Sequence, residues 1–277
     1  MSKKMPITTI TAPATTAPTR TRRILLSLAG VGLVLAATVG TAAAASPAPN
    51  AGAPDHKFCV TEWAAAVASR TVDTLRAVGD CEIDRRIATL TDLNTRTTDS
   101  KALTDTHKAQ LQHSGPNPVN YDAEKAGLLA LKAKIDGETD AQALRADIEQ
   151  IATEFRVYLL VVPKTHLTSA GDAGALAVTK LNEMAVKLQG LIDKAAGAGK
   201  DVTQATALLA DLKSKTSQAG ALVAPIAGSV MPISASDVNA GPGKTAIENA
   251  RTAARQAQDL LKAARADARQ IIDLLKA

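Results

Sequence analysis

Apolar residues near the C-terminus recur at alternating spacings of three and four residues, and this pattern constrains the fold more than any other feature. Such a spacing places the residues on one face of an α-helix. Similar series run through Leu167–Ala195 and Val202–Val223. The pattern predicts an all-α protein, built as an elongated helical bundle with coiled-coil-like heptad packing. The most regular series consists of Ile247, Ala250, Ala254, Ala257, Leu261, Ala264, Ala268, Ile271 and Leu275.

Composition supports helices. Phe, Trp and Tyr together make up only 2% of the chain, whereas strands favour aromatic and β-branched residues. Alanine, which is abundant here, has the highest helix propensity. The scarcity of aromatic rings also argues against a carbohydrate-binding surface.

The N-terminus has the features of a secretory signal peptide. Basic residues precede the apolar run Ile24–Val39, and small residues including Ala43 and Ala45 follow it. This order is typical of a signal that is cleaved after Ala45, so residues 1–45 are predicted to be removed. The alternative is an uncleaved membrane anchor, because the apolar run is long enough to span a bilayer. Arg22-Arg23 also resembles a twin-arginine signal.

Removal of the signal changes the charge balance. The chain carries 32 Lys and Arg against 27 Asp and Glu. Residues 1–45 contain five of the bases and no acid, so the remainder is formally neutral. The basic character therefore belongs to the signal segment, and we expect no nucleic-acid partner.

The remaining chain divides by composition into four parts. Residues 46–58 are rich in Pro, Ala and Gly and predict a flexible tether. Residues 59–225 predict a helical bundle. Residues 226–244 contain prolines and glycines without an apolar period, which indicates a linker. Residues 245–277 predict one long C-terminal heptad helix of about 50 Å, which either packs along the bundle or forms a coiled coil with another chain.

The two cysteines, Cys59 and Cys81, predict a disulfide, because the chain carries an export signal. A single straight helix over this segment would hold the two Cα atoms roughly 33 Å apart, too far for a bond. Three arrangements stay open: the segment folds back near Ser69–Thr71 or Gly79-Asp80, the cysteines bridge to another chain, or they remain free.

The segment Phe155–Leu167 has the highest local density of large apolar side chains. Its residues Phe155, Tyr158, Val162 and Leu167 are candidates for the core or for an apolar pocket. The spacing from Leu144 to Val162 predicts one helix with Phe155 and Tyr158 facing inward, and Pro163 is expected to end or kink it. The flanking charges Arg156, Lys164 and His166 are either the mouth of a pocket or helix-end charges in water.

No catalytic, metal-binding or cofactor-binding motif is present. Gly241-Pro242-Gly243-Lys244-Thr245 lacks the first glycine and the preceding strand of a phosphate-binding loop. The four histidines do not have zinc-protease or di-iron spacing, and there is no Gly-x-Ser-x-Gly sequence. We therefore expect no cofactor, no metal site and no catalytic residues.

Two segments, Asp80–Arg86 and Phe155–Leu167, resemble segments that recur in Ala-rich secreted proteins of high-GC Gram-positive bacteria. Those proteins are uncharacterised, so the resemblance implies an extracellular or envelope setting and carries no function or site residue.

These observations predict a secreted or cell-envelope protein that is not an enzyme and that acts through helix-mediated interaction or as a structural spacer. Its partner would be an unidentified protein or a second copy, with membrane contact only through an uncleaved anchor. One alternative is an extracytoplasmic binder of lipid or apolar ligands, or a chaperone. Another is a secreted helical enzyme with a dispersed polar site.

Overall fold

The computed structural model describes residues 59–113 and 119–276, and these residues belong to one compact unit. They form helices and connecting turns, with no strand among them. The predicted signal peptide and tether lie outside the described residues. Among the helices described, none combines the length and the apolar character needed to cross a membrane.

The first half is built around one long helix. Helix α2 (Val72–Asp99) contacts its four neighbours α1 (Val60–Ser69), α3 (Asp105–Gln112), α4 (Tyr121–Gly137) and α5 (Ala141–Thr153). Four of these five helices begin at a side-chain cap, namely Thr71, Thr104, Asn120 and Asp140. Each cap oxygen accepts a hydrogen bond from a backbone N–H that the helix leaves free.

The second half consists of three long helices and two short ones. Helices α6 (Val162–Gly197), α7 (Thr203–Val223) and α10 (Pro242–Lys276) pack against one another, and the short helices α8 (Ile226–Val230) and α9 (Ala235–Ala240) connect α7 to α10. The C-terminal helix thus packs within its own chain. A Cβ atom at Gly174 of α6 would lie 2.6 Å from Cγ1 of Val223, so glycine permits this close approach.

The segment Phe155–Leu167 differs from its sequence prediction. Helix α5 ends at Thr153, a π-helix spans Val157–Val161, and α6 begins at Val162. The prediction of one continuous helix over 144–162 is therefore wrong. The break and the wider π turn change which side chains face the core. Proline 163 is the second residue of α6, directly after the π-helix, and the helical backbone continues through it, so it does not end the helix.

The change of phase reverses the orientation of the central residues. Val157, Leu160 and Val161 are buried, whereas Tyr158 is 36% exposed. Phe155 is partly buried at the edge of the core, where its ring packs close to Gly127. Of the four candidate residues, Leu167 is buried and Val162 is partly buried.

Residues 226–244 are not an open linker. They contain α8 and α9, and their apolar side chains are part of the core, namely Ile226, Val230, Met231, Ile233 and Val238. Pro225 directly precedes α8 and Pro242 is the first residue of α10. The prolines therefore mark helix starts within packed structure.

Candidate functional site

A disulfide positions the first helix. Cys59, directly before α1, is bonded to Cys81 of α2, with the two Cα atoms 5.9 Å apart. The chain folds back at Arg70, whose left-handed backbone (φ 46°) ends α1. Among the three arrangements left open by the sequence, the structure contains the bond within one chain.

Next to the disulfide, the carboxylate of Glu82 joins α1 to two arginines of α2. It accepts hydrogen bonds from Nε1 of Trp63 at 3.3 Å and from the guanidinium groups of Arg85 and Arg86. Burial alone would raise the pKa of Glu82, but the hydrogen bonds from Arg86 and Trp63 and the two positive charges lower it. Glu82 is therefore ionised at neutral pH.

Tyr158 covers the same two arginines. The guanidinium carbon of Arg85 lies 4.8 Å from the ring centroid of Tyr158, and that of Arg86 lies 5.3 Å from it. Cation–π contacts of this kind contribute about 0.5–1 kcal/mol at exposed sites. Although Tyr158 is partly exposed, its ring contacts the two arginine side chains and helps to hold them in place.

These residues border a pocket of about 440 Å³ between α1, α2 and α5. We call it the arginine pocket. Its apolar lining comes from Leu75, Ile148, Ile151 and Ala152. Trp63, three arginines (Arg85, Arg86 and Arg145) and two glutamates (Glu82 and Glu149) supply the other side chains. A mainly apolar cleft with a few convergent polar groups is the usual form of a small-molecule site.

Two of the arginines have unused binding capacity. Arg86 is only 9% exposed, and its Nε has no hydrogen-bond partner among the described residues. Arg145, on α5, is exposed and has no ion pair or hydrogen bond within the described part of the chain. Arg145 therefore brings an unpaired positive charge to the pocket, and the Nε of Arg86 is an unsatisfied donor buried beneath its surface.

A second group of charged side chains lies inside the protein. Lys164 of α6 is fully buried, and its ammonium donates hydrogen bonds to the carbonyl oxygens of Met231 (3.0 Å) and Ile233 (2.8 Å). Burial lowers the pKa of Lys164 to about 8, partly offset by the negative charges of Glu124 and Asp237. This lysine attaches α6 to the segment between α8 and α9.

Glu124 of α4 is the acidic neighbour of Lys164. Burial raises the pKa of Glu124 to about 7, although the charge of Lys164 acts against this shift. Its Oε2 has no hydrogen-bond partner among the described residues. Perturbed pKa values are typical of active sites, but Lys164 has no exposed surface, so a substrate has no access to it in this conformation. The pair therefore has a structural role here.

The described residues include one cluster with the right atom types for a metal. The ligand atoms of Cys59, Glu62 and Cys81 lie within 4.8 Å of one another. Zinc needs deprotonated thiolates, and these two sulfurs are joined in the disulfide. The oxidised protein therefore lacks the thiolate ligands at this position.

The residues predicted from the sequence do not line the arginine pocket. Phe155, Val162 and Leu167 lie away from its lining, and Tyr158 borders it only through Arg85 and Arg86. Sequence reasoning missed Trp63, Arg145 and Ile148 as neighbours, because Trp63 lies on α1 and the other two lie on α5, far away along the chain. One usable signal was present: Arg85 and Arg86 follow Glu82 at spacings of three and four residues, which place the three side chains on the same side of a helix.

Comparison of the chain with protein-family models, with curated proteins and with solved structures gives no match.

Proposed function

We propose that this protein is a non-enzymatic extracytoplasmic protein that binds an apolar small molecule or lipid chain in the arginine pocket. The observation that carries the proposal is the pocket itself, with its apolar lining and its bordering tryptophan. Its volume of about 440 Å³ lies within the range of about 300–1,000 Å³ found for ligand pockets.

The cysteine pair supports a setting outside the cytoplasm. Disulfides persist in oxidising compartments and are rare where thiols are kept reduced. The bond between Cys59 and Cys81 fixes α1, which carries Trp63, against α2. Export by the N-terminal signal would bring the chain to a compartment where this wall of the pocket is stable.

The proposal is tested by blocking the pocket from a position that tolerates a larger side chain. Ala152 lines the pocket and is exposed, so Ala152→Phe should fill the cleft without damage to the core. The probe is Nile red, an uncharged apolar dye, followed by its own fluorescence and by quenching of Trp63, the single tryptophan of the chain. We expect the full chain to bind the dye and Ala152→Phe to weaken binding at least tenfold.

Ala210→Phe is the matched control, because Ala210 is an exposed alanine on α7. It should bind the dye like the unaltered chain. Absence of dye binding by the unaltered chain, or an equal loss in both variants, would contradict the proposal.

A second candidate function is helix-mediated interaction with another chain, or a spacer role, in which α6, α7 and α10 pack in a coiled-coil-like, elongated arrangement. A specific observation favours it. Leu176, Val186 and Leu191 of α6 are exposed apolar side chains on one side of the helix, and Val186 is 73% exposed. Apolar residues on the outer side of a long helix favour contact with a partner helix.

A further inference from the structure

We infer that the arginine pocket takes a singly charged anionic amphiphile, with its head group at Arg86 and Arg145 and its hydrocarbon chain over Ile148 and Ile151. This inference rests on the proposed function and adds the chemical class of the ligand. A medium-chain carboxylate such as decanoate is the simplest molecule with this chemistry.

The first argument is the sign and size of the charge. Three arginines and two glutamates line the pocket, which leaves one positive charge. The carboxylate of Glu82 is already bound by Arg85 and Arg86. The exposed Glu149 lies on the same helix as Arg145, which has no ion pair within the described residues. One carboxylate in the ligand would balance the set, whereas a cation would meet net repulsion.

The second argument is the unpaired donor of Arg86. Its Nη1 donates to the backbone oxygen and to the carboxylate of Glu82, while its buried Nε has no partner among the described residues. A buried donor without an acceptor destabilises a fold. This Nε has no exposed surface in this conformation, so an anionic oxygen in the pocket would accept from it after the Arg86 side chain turns towards the ligand. Guanidinium groups form their strongest hydrogen bonds with carboxylates and phosphates.

The third argument is the arrangement of polar and apolar parts. Leu75 and Ile151 are buried beneath the pocket, Ile148 is partly buried, and Trp63 is exposed. Tryptophan, with its apolar ring and polar N–H, suits a boundary between hydrocarbon and water. A ligand with a charged end and an apolar chain therefore matches the pocket better than an uncharged hydrocarbon or a small inorganic anion.

The test compares two ligands that differ only at the head group. Decanoate and decanol are titrated into the full chain at pH 7, where a carboxylic acid of ordinary pKa is ionised, and binding is followed by the fluorescence of Trp63. We expect decanoate to bind at least tenfold more tightly than decanol. This preference should shrink as salt is raised from low to high concentration, because salt screens exposed charges such as Arg145.

Two variants locate the head group. Arg145→Gln removes an exposed charge with no partner in the described structure, and it should weaken decanoate about three- to tenfold while decanol binding stays the same. Arg86→Lys keeps the charge but removes Nε, and it should also weaken decanoate more than decanol. The matched control is Arg251→Gln, at an exposed position of α10, which should change neither affinity. Circular dichroism of each variant checks that the helices are retained.

The outcomes separate the inference from the proposed function. Equal binding of decanoate and decanol, or no effect of Arg145→Gln on decanoate, overturns the anionic head group while the apolar pocket stands. Binding to vesicles of phosphatidylglycerol with none to decanoate also overturns it, because the ligand would then be a membrane surface. Failure of decanoate, decanol and Nile red together overturns the proposed function itself.

Discussion

The buried residues Lys164 and Glu124 each make the stability of the fold depend on pH. Burial raises the pKa of Glu124 from 4.5 to about 7 and lowers that of Lys164 from 10.5 to about 8. Between about pH 4.5 and 7 the unfolded chain has lost the Glu124 proton that the folded chain still holds, so stability falls as pH rises. Between about pH 8 and 10.5 the unfolded chain holds the Lys164 proton that the folded chain has lost, so stability rises.

We therefore predict that these two groups produce a minimum in stability between about pH 7 and 8. Substitution of Glu124→Gln should remove the fall on the acid side, which amounts to roughly 2–3 kcal/mol from linkage. The measurement is the free energy of unfolding in urea at a series of pH values from 5 to 9.

The exposed Glu183→Gln on α6 serves as the control and should keep the slope of the unaltered chain. A flat profile between pH 5 and 7 for the unaltered chain, or the same slope in Glu124→Gln, would show that Glu124 does not have the raised pKa.

Helix α1 depends on its covalent attachment more than on its packing. Ala66 is its only buried residue, and Val60, Trp63 and Val67 are exposed. Apart from the disulfide, a side-chain hydrogen bond from Trp63 to Glu82 connects it to α2. A helix of this length is marginal by itself in water, so the bond to Cys81 keeps one wall of the arginine pocket in place.

We predict that loss of the disulfide releases α1 and disables the pocket while the other helices remain. A cross-link over a loop of this size contributes about 3 kcal/mol in the chain-entropy account. Treatment with dithiothreitol should shift the emission of Trp63 towards that of a solvated indole and abolish Nile red binding. Far-UV circular dichroism should lose only the contribution of a short helix.

The double variant Cys59→Ser, Cys81→Ser should behave like the reduced protein without any added reductant, and dithiothreitol should then have no further effect. An unchanged Trp63 spectrum after complete reduction would show that packing alone holds α1.

At the scale of the whole molecule, the second candidate function predicts self-association. The exposed apolar side chains of α6 would become buried in a contact between two copies, so sedimentation of the full chain should show a mass that rises with concentration. Val186→Glu should return the protein to a monomer, because Val186 is exposed. Val178→Glu is unsuitable as a control, because Val178 packs against the core and the substitution would disturb the fold. A monomer at all concentrations would exclude self-association. The second candidate function would then be contact with a different protein or a spacer role.

The long helices show how much of the buried surface could be predicted from the sequence. In α7, the residues buried against α6 and α10 are the ones that the spacing predicts, from Ala205 to Val223. In α10 the stripe from Ile247 to Ile271 is buried, with Ala254 partly so. In α6 the series is confirmed in part. Leu167, Gly174, Leu181 and Leu188 are buried, whereas Ile192 is buried in place of Leu191. A helix of 36 residues with several alanines and glycines on both sides does not specify its inner face uniquely.

The sequence by itself determined the helical fold class and the inner faces of α7 and α10, because periodic spacing is a local property. Only the tertiary structure decided the rest. The phase at Tyr158 depends on a π turn that no local signal marked, and residues 226–244 fold because their apolar side chains find a core built by distant helices. The arginine pocket exists only where α1, α2 and α5 meet, since no short stretch of chain contains Trp63, Arg86 and Arg145 together.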